Sequence, residues 1–193
     1  MRTLISITAA LIAAAPAAAL EPQSPLNVAQ AQPRRNQAPD VIFVPTPQEV
    51  VDAMLKLANV HEGDVLYDLG SGDGRIPVTA ARRYGIRAYG IDIDPQRIQE
   101  ANDNAKKAGV THLVRFRRED LFKTDFHDAT VVTLYLLPDL NVKLRPRLFA
   151  ELKPGTRIVS HQFDMGTWKP DKKVEVTSGR TIYLWTLPPR KTQ

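Results

Sequence analysis

Residues 68–75 read Asp68-Leu69-Gly70-Ser71-Gly72-Asp73-Gly74-Arg75, and this stretch decides the fold of the chain. It follows a short apolar run, Val65 to Leu69, that is typical of a buried strand, and it precedes a helical stretch that ends at Gly85. Three glycines in such a turn let the backbone adopt positive φ angles and approach a ligand closely. The stretch therefore predicts a strand, a ligand-binding turn and a helix, in that order.

The spacing of the glycines indicates which ligand the turn binds. Dinucleotide sites use the spacing G-x-G-x-x-G, whereas these glycines stand at 70, 72 and 74, with Asp68 two residues before the first. A carboxylate at this point would repel a pyrophosphate and attract a cation, such as the ammonium of an amino-acid-like cofactor. S-adenosylmethionine carries an ammonium and a sulfonium and has no phosphate, so it is the expected cofactor.

Two further acidic residues follow the next two strands. Asp92 ends the second strand, where it is placed to accept hydrogen bonds from both ribose hydroxyls of the cofactor. Asp120 follows the third strand and is placed to accept a hydrogen bond from the adenine amino group. Taken singly, Asp92 is also explained as a turn residue at a strand end, and Asp120 as a helix cap. In this order and on these elements, the whole set predicts a cofactor site.

The rest of the chain alternates helices and strands, which predicts a doubly wound, mostly parallel α/β sheet. Thr46-Pro47-Gln48-Glu49 has the pattern of a capping box and predicts a helix start with Thr46 as the cap. Further strands are expected at 87–93, 113–117, 129–137 and 156–162, and further helices at 94–109 and 139–153, the last broken or kinked at Pro146. Residues 173–177 and 181–187 flank a Ser-Gly-Arg turn and predict an antiparallel hairpin.

The N-terminal residues have the composition of a targeting sequence rather than of part of a folded domain. One positive charge, an apolar run from Leu4 to Ala15, and Ala17 and Ala19 before a cleavage point are typical of a secretory signal peptide over residues 1–19. We therefore expect export to the periplasm or the medium, with an uncleaved membrane anchor as the alternative. Residues 20–40 are rich in proline and glutamine and are expected to form a flexible linker. The folded domain is then 41–193.

Composition excludes several classes of function. The chain has 193 residues and no cysteine, so disulfide scaffolds, cysteine–zinc sites and cysteine nucleophiles are excluded. Its four histidines are scattered, and no metal site is expected. The net charge of +5 permits an acidic partner, although no nucleic-acid partner is expected. The cluster Arg115, Arg117 and Arg118 would suit such a partner, but it is more typical of a solvated strand face.

Residues 41–170 resemble the class I S-adenosylmethionine-dependent methyltransferases, and more closely the bacterial relatives of the ATP synthase c-subunit lysine N-methyltransferase family. The shared stretches are Val44-Pro45-Thr46-Pro47, Tyr67 to Arg75, Glu119-Asp120-Leu121, and Phe163 with Trp168-Lys169-Pro170. The resemblance implies the strand order 3-2-1-4-5-7-6 and places residues 43–46 over the cofactor as a lid. It implies cofactor-binding residues Thr46, Asp68, Gly70, Ser71, Gly72, Gly74, Asp92 and Asp120. It also implies a lysine side chain of a protein as the methyl acceptor, with that protein near a membrane.

Methyl transfer from a sulfonium needs in-line geometry and an unprotonated nucleophile. The absence of cysteine excludes cytosine-C5 methylation through a covalent adduct, and no Asp/Asn-Pro-Pro-Tyr motif for adenine-N6 or glutamine methylation ends the fourth strand. Tyr135, Phe163 and Trp168 follow strand ends and are the candidates for an acceptor pocket that would desolvate a lysine amine.

Several alternatives stay open at this point. Phe163 and Trp168 are equally explained as packing under the hairpin, and His161 as a satisfied residue at a strand end rather than a base. A small-molecule or lipid-like acceptor is the alternative within methyltransferases. An exported binding module that has lost catalysis is the alternative outside them, because the cofactor is made and kept in the cytosol.

Overall fold

A seven-stranded sheet carries the site. The computed structural model describes residues 43–176 and 179–189, so the predicted signal peptide and linker lie outside the described residues. The elements, in chain order, are α1 (Gln48–Leu57), β1 (Val65–Leu69), α2 (Arg75–Tyr84), β2 (Arg87–Asp92), α3 (Pro95–Lys107), β3 (Val114–Arg118), β4 (Val131–Leu134), α4 (Pro138–Glu151), β5 (Arg157–His161), β6 (Lys172–Val176) and β7 (Arg180–Thr186). Among the described residues, no helix is long and apolar enough to cross a membrane.

The order of the strands confirms the predicted doubly wound architecture. They lie in the order β3-β2-β1-β4-β5-β7-β6. The first five are parallel, and β7 pairs antiparallel with both β5 and β6. The direction of succession reverses between β1 and β4, and at such a switch point the loops after the strands diverge and leave a crevice for a ligand.

Side chains of successive strand residues enter two separate cores, one on each face of the sheet. On one face, Leu66 of β1 packs with residues of α1 and α2, whereas on the other its neighbour Tyr67 packs in a core that includes Leu144 and Leu148 of α4. β4 lies in the middle of the sheet and is buried along its whole length. This burial on both faces explains why β4 is apolar rather than alternating.

Three predicted details of the elements differ in the structure. The cap of α1 is Pro47 and no side chain caps this helix, so the capping box predicted at Thr46 is wrong. The hydroxyl of Thr46 lies instead 3.2 Å from a ring nitrogen of His161. α4 runs through Pro146 without a break. β4 ends at Leu134, three residues earlier than predicted, because the chain turns there towards the crevice.

The ring of Phe116 on β3 supports the glycine turn from below. An added Cβ at Gly74 would lie 2.5 Å from this ring, and one at Gly90 on β2 would lie 2.4 Å from it. At Gly74 the φ angle of +74° also disfavours a side chain, whereas no such angle is found at Gly90. Gly90 is therefore required by packing, since it leaves space for the ring of Phe116 and for Oγ of Ser71, which would lie 2.7 Å from an added Cβ.

We expect Gly90→Ala to lower the free energy of unfolding by about 1–3 kcal/mol, because the added methyl overpacks against Phe116. Urea unfolding measures this effect. The double variant Gly90→Ala/Phe116→Leu should lose less than the sum of the two single losses, because the smaller side chain vacates the contested space. Additive losses would show that the two positions do not compete for space.

Candidate active site

A cavity of about 890 Å³ opens at the carboxyl edge of the parallel strands, on both sides of the switch point. This volume lies in the usual range for small-molecule sites, roughly 300–1,000 Å³. Of the eleven candidate cofactor-binding and acceptor residues, eight line the cavity: Thr46, Asp68, Gly70, Ser71, Asp92, Asp120, Tyr135 and Phe163. Gly72, Gly74 and Trp168 are not among the residues that line it.

The glycine turn crosses from β1 to α2 with its amides bonded inside the protein. Gly70 and Ser71 donate to the carbonyl of Ile91 at 2.8 and 2.9 Å, Gly74 donates to the carbonyl of Ser71, and Gly72 donates to Oδ2 of Asp92. The three glycines have φ angles of +89°, +52° and +74°, and a residue with a side chain would be strained at these angles. These four amides of the turn are therefore not free to bind a phosphate, which agrees with a cofactor that carries none.

Asp68 places a carboxyl group inside the sheet at the edge of the cavity. Asp68 is only 2% exposed, and the hydroxyl of Thr133 on β4 donates a hydrogen bond to Oδ1 of Asp68 at 2.7 Å. Burial raises the pKa of Asp68 to about 8, and the nearby charges of Asp92 and Asp73 add to the rise. A cation bound beside this group would reverse the shift, since it favours the carboxylate.

Asp92 and Asp120 each have a structural contact as well as a face on the cavity. Asp92 accepts from the amides of Gly72 and Asp94 at 2.8 and 3.0 Å, so it ties the glycine turn to the end of β2. Asp120 accepts from the amide of Phe122 at 2.9 Å. The turn interpretation of Asp92 is compatible with the ligand-binding one, because its side chain also lines the cavity. No helix begins at Asp120, so the cap interpretation of this residue is wrong: its side chain closes a turn and also lines the cavity.

The segment 43–46, which the resemblance places over the cofactor as a lid, lines part of the cavity. The ring of Phe43 lies against Gly72, where an added Cβ would come within 2.1 Å of it, and the guanidinium of Arg97 lies 4.7 Å from the centre of the same ring. At the other end of the segment, Arg75 donates to the carbonyl of Thr46 at 2.8 Å. The segment is thus fastened to the turn at both of its ends.

The far end of the cavity is aromatic. The rings of Tyr135 and Phe163 are stacked with their centres 6.2 Å apart, and the ring of His161 lies 4.0 Å from that of Tyr135. His161 itself is fully buried, and burial lowers its pKa to about 4, with a smaller effect of Arg180, so the ring is neutral at pH 7. Asn141 on α4 donates to the carbonyl of Phe163 at 3.3 Å and fixes the loop after β5.

Trp168 does not belong to this aromatic end, and the prediction that it helps form the acceptor pocket has to be corrected. Its ring packs against Phe149 at 4.5 Å and Trp185 at 5.7 Å between ring centres. Its carbonyl accepts a hydrogen bond from Nε1 of Trp185 at 2.9 Å. The side chain therefore fills the face of the sheet beside the hairpin, which is the packing alternative left open in the sequence.

Comparison with known proteins identifies the family. The model of the ANTKMT methyltransferase domain matches residues 68–172. A protein-lysine N-methyltransferase from Saccharolobus islandicus is 44% identical over 157 residues, covering 79% of this chain and 98% of the relative. The chain belongs to the ANTKMT methyltransferase domain family. Like the family, it is an S-adenosylmethionine-dependent methyltransferase.

Two further proteins that are similar to this ANTKMT methyltransferase domain carry names that state different methyl acceptors. The adenine nucleotide translocase lysine N-methyltransferase of Mus musculus is 36% identical over 154 residues, and the match covers 79% of this chain and 64% of the mouse protein. An RNA methyltransferase from Salinibacter ruber, solved with S-adenosyl-L-homocysteine, is 59% identical with a TM-score of 0.75. That match covers 78% of this chain and 97% of the Salinibacter chain.

The residues of this ANTKMT methyltransferase domain fit the cofactor. Oγ of Ser71 is buried at the cavity and has no hydrogen-bond partner among the described residues, so it is available to a polar ligand. Asp68 offers a buried carboxyl to the ammonium, while Asp92 and Asp120 face the cavity where the ribose and adenine would lie. The described residues contain no group of three or more side chains able to hold a metal ion.

Sequence reasoning missed three residues that shape the site of this ANTKMT methyltransferase domain. Arg97 and Arg75 fasten the segment 43–46, and Thr133 bonds Asp68. The only signal for Thr133 was a hydroxyl in the otherwise apolar run Val131 to Leu134. For Arg75 the signal was its place directly after the last glycine, which by itself assigns no partner.

Asp68→Asn is expected to separate stability from binding. Because the pKa of Asp68 is raised in the folded protein, its ionisation opposes folding as pH rises from about 4 to about 8. The uncharged variant should therefore be more stable than the parent at pH 8 without ligand, yet bind S-adenosylmethionine about ten-fold or more weakly. Urea unfolding and calorimetric titration measure the two effects. Asp103→Asn, at an exposed carboxyl on α3, is the control and should change neither; equal affinity in Asp68→Asn would refute the ammonium site.

Proposed function

We propose that this enzyme transfers the methyl group of S-adenosylmethionine to a lysine side chain of a protein. The observation that carries the proposal is the aromatic end of the cavity, where Tyr135 and Phe163 stand beside Leu137 and Val44. The names of two relatives, a protein-lysine N-methyltransferase and an adenine nucleotide translocase lysine N-methyltransferase, support the same acceptor.

An aromatic and apolar end suits the chemistry of a lysine amine. The sulfonium methyl of the bound cofactor is the electrophile, and the amine must be unprotonated to attack it in line. Tyr135 and Phe163 exclude water from the amine, which lowers its pKa and raises its neutral fraction. The same two rings pack along the methylene chain of the lysine, so they contribute both to binding and to activation of the acceptor.

His161 is not placed to act as a general base. It does not line the cavity, one ring nitrogen lies 3.2 Å from Oγ1 of Thr46, and the residue is fully buried. The proton of the acceptor lysine therefore leaves to solvent before the amine is enclosed. On this account the rate rises with pH until the pKa of the bound lysine is reached.

The rim of the cavity indicates the surroundings of the acceptor. Val44 and Leu137 both line the cavity and are 51% and 46% exposed, so together they place apolar surface at its mouth. An acceptor lysine flanked by apolar residues would cover both, as in a protein at a membrane. We include this location of the acceptor in the proposal.

RNA is the second candidate acceptor, because the 59%-identical Salinibacter protein is described as an RNA methyltransferase. An RNA substrate needs free basic groups along its backbone. Arg117 instead donates to the carbonyl of Asp125 and lies 5.7 Å from the rings of Tyr67 and Tyr89. Arg75 and Arg97 line the cavity, but they are paired with Asp73 and Glu100, whereas the exposed Val44 and Leu137 are apolar, so the geometry favours the lysine acceptor over RNA.

The acceptor is identified by transfer of labelled methyl from S-adenosylmethionine into an extract of the source cells. We expect the label in protein, concentrated in the membrane fraction and recovered as methyl-lysine after acid hydrolysis. Label in RNA, removed by ribonuclease, would replace lysine by the second candidate. Label confined to small molecules or lipids would support the remaining alternative, and methyl-arginine or base-labile ester would keep a protein substrate but reject lysine.

Aromatic substitutions test the acceptor end against a matched control. Tyr135→Ala and Phe163→Ala should lower the transfer rate at pH 7 by at least about ten-fold, since one unit of rise in the pKa of the amine reduces its neutral form ten-fold. Part of this loss should return at higher pH. Trp168→Ala removes an aromatic ring outside the cavity and should keep the rate. Equal losses in all three variants would mean that only folding had been disturbed.

We also propose that the chain is exported, from the composition of residues 1–19. Alkaline phosphatase fused after Gln30 should be active, because this reporter needs the oxidising environment outside the cytoplasm. The same fusion without residues 1–19 is the control and should be silent. Activity of a cytoplasmic reporter at the same position, with phosphatase silent in both fusions, would overturn the export proposal.

A further inference from the structure

The hydroxyl of Thr133 has one partner in the interior of the sheet, and that partner is Asp68. The two residues lie opposite each other in the parallel register of β1 and β4, so their side chains point to the same face. Oγ1 of Thr133 donates to Oδ1 of Asp68 at 2.7 Å, and Thr133 is fully buried. The described residues provide no hydrogen bond to the second oxygen, Oδ2, of Asp68.

A hydroxyl at this point is not required by packing. The other residues of β4 are Val131, Val132 and Leu134, all fully buried. Valine has nearly the shape of threonine and would fill the same space in a central strand. The hydroxyl is therefore explained by its hydrogen bond to the carboxyl of Asp68, which faces the cavity, and not by packing in the core.

We propose that Thr133 is a positioning residue for the ammonium of S-adenosylmethionine: by holding Oδ1 of Asp68, it stabilises the carboxylate form and leaves Oδ2 for the cofactor. The proposal rests on the cofactor site and is independent of the methyl acceptor. Its failure would leave the lysine proposal untouched, because its test measures binding and not methyl transfer.

The surrounding charges make this hydrogen bond important. Burial raises the pKa of Asp68, and Asp92 at the end of β2 and Asp73 in the turn raise it further, whereas Thr133 lowers it. Arg75 does not relieve the repulsion directly, because its guanidinium pairs with Asp73 at 2.6 Å. His161 on β5 is neutral at pH 7. Of the contacts around Asp68, the hydroxyl of Thr133 is the one that favours the charged form.

Two ligands distinguish positioning of the ammonium from general support of the site. S-adenosylhomocysteine has the amino acid part of the cofactor, whereas 5′-methylthioadenosine has the same adenosine without it. Titration of the full chain with both ligands, by calorimetry at pH 7, compares the parent with Thr133→Val and Thr133→Ser. We expect Thr133→Val to weaken S-adenosylhomocysteine about ten-fold and methylthioadenosine less than about two-fold. Thr133→Ser, which keeps the hydroxyl, should restore most of the loss.

The pH profile adds a second readout. In the parent, affinity for S-adenosylhomocysteine should rise as Asp68 ionises towards its pKa of about 8. It should fall again at higher pH, where the ligand's own ammonium loses its proton. In Thr133→Val the rising limb should move to higher pH, because the carboxylate has lost its donor. Methylthioadenosine should show neither limb in any variant.

The remaining outcomes decide against the proposal. Equal weakening of both ligands, or no change in either, would overturn it. In the Asp68→Asn background, Thr133→Val should cause no further loss, and a full additional loss would also overturn it. If Thr133→Val does not fold, Thr133→Ala takes its place in the same titrations. Failure of both to fold while Thr133→Ser folds would assign the hydroxyl to stability and reject a positioning role.

Discussion

The buried carboxyl of Asp68 is the group on which the site depends. It lies within a central strand at 2% exposure, and the charges nearest to it, Asp92 and Asp73, are of its own sign. Such a group is stable either in its neutral form or beside a cation. The glycine turn next to it has already engaged its amides with Ile91, Ser71 and Asp92. A cationic ligand without phosphate satisfies both constraints at once, which a nucleotide does not.

The topology divides the cavity into two chemically different ends. β1, β2 and the loop after β3 contribute the acidic groups, and the chain after β4 and β5 contributes the stacked rings of Tyr135 and Phe163. The two ends meet where the succession of the strands reverses, so one ligand crosses from polar to apolar surroundings. A charged cofactor and a neutral nucleophile each obtain the environment that favours the required form. His161 links the two ends through its contacts with Thr46 and Tyr135.

Local patterns in the sequence were sufficient for the elements and for the cofactor end. The glycine turn, Asp92 and Asp120 are placed by where strands end, and strand ends can be predicted from short apolar runs. The strand order required the resemblance to a family. Contacts between distant segments could not be predicted, since the partner of Thr46 lies 115 residues away. Trp168 was misplaced for a related reason: Phe149 and Trp185, which hold it, come from two other elements.

The position of β7 has a consequence for how the molecule is made. β7 is the last strand among the described residues, yet it lies between β5 and β6 and joins them. While the ribosome is still adding residues before Arg180, β6 lacks this neighbour and β5 presents an unpaired edge. The half of the sheet that holds the acidic end of the cavity, β1 to β4, has emerged by then. The antiparallel part of the sheet, β5-β7-β6, is therefore completed only after residues 180–186 have been synthesised, and only then can Trp185 enter its core.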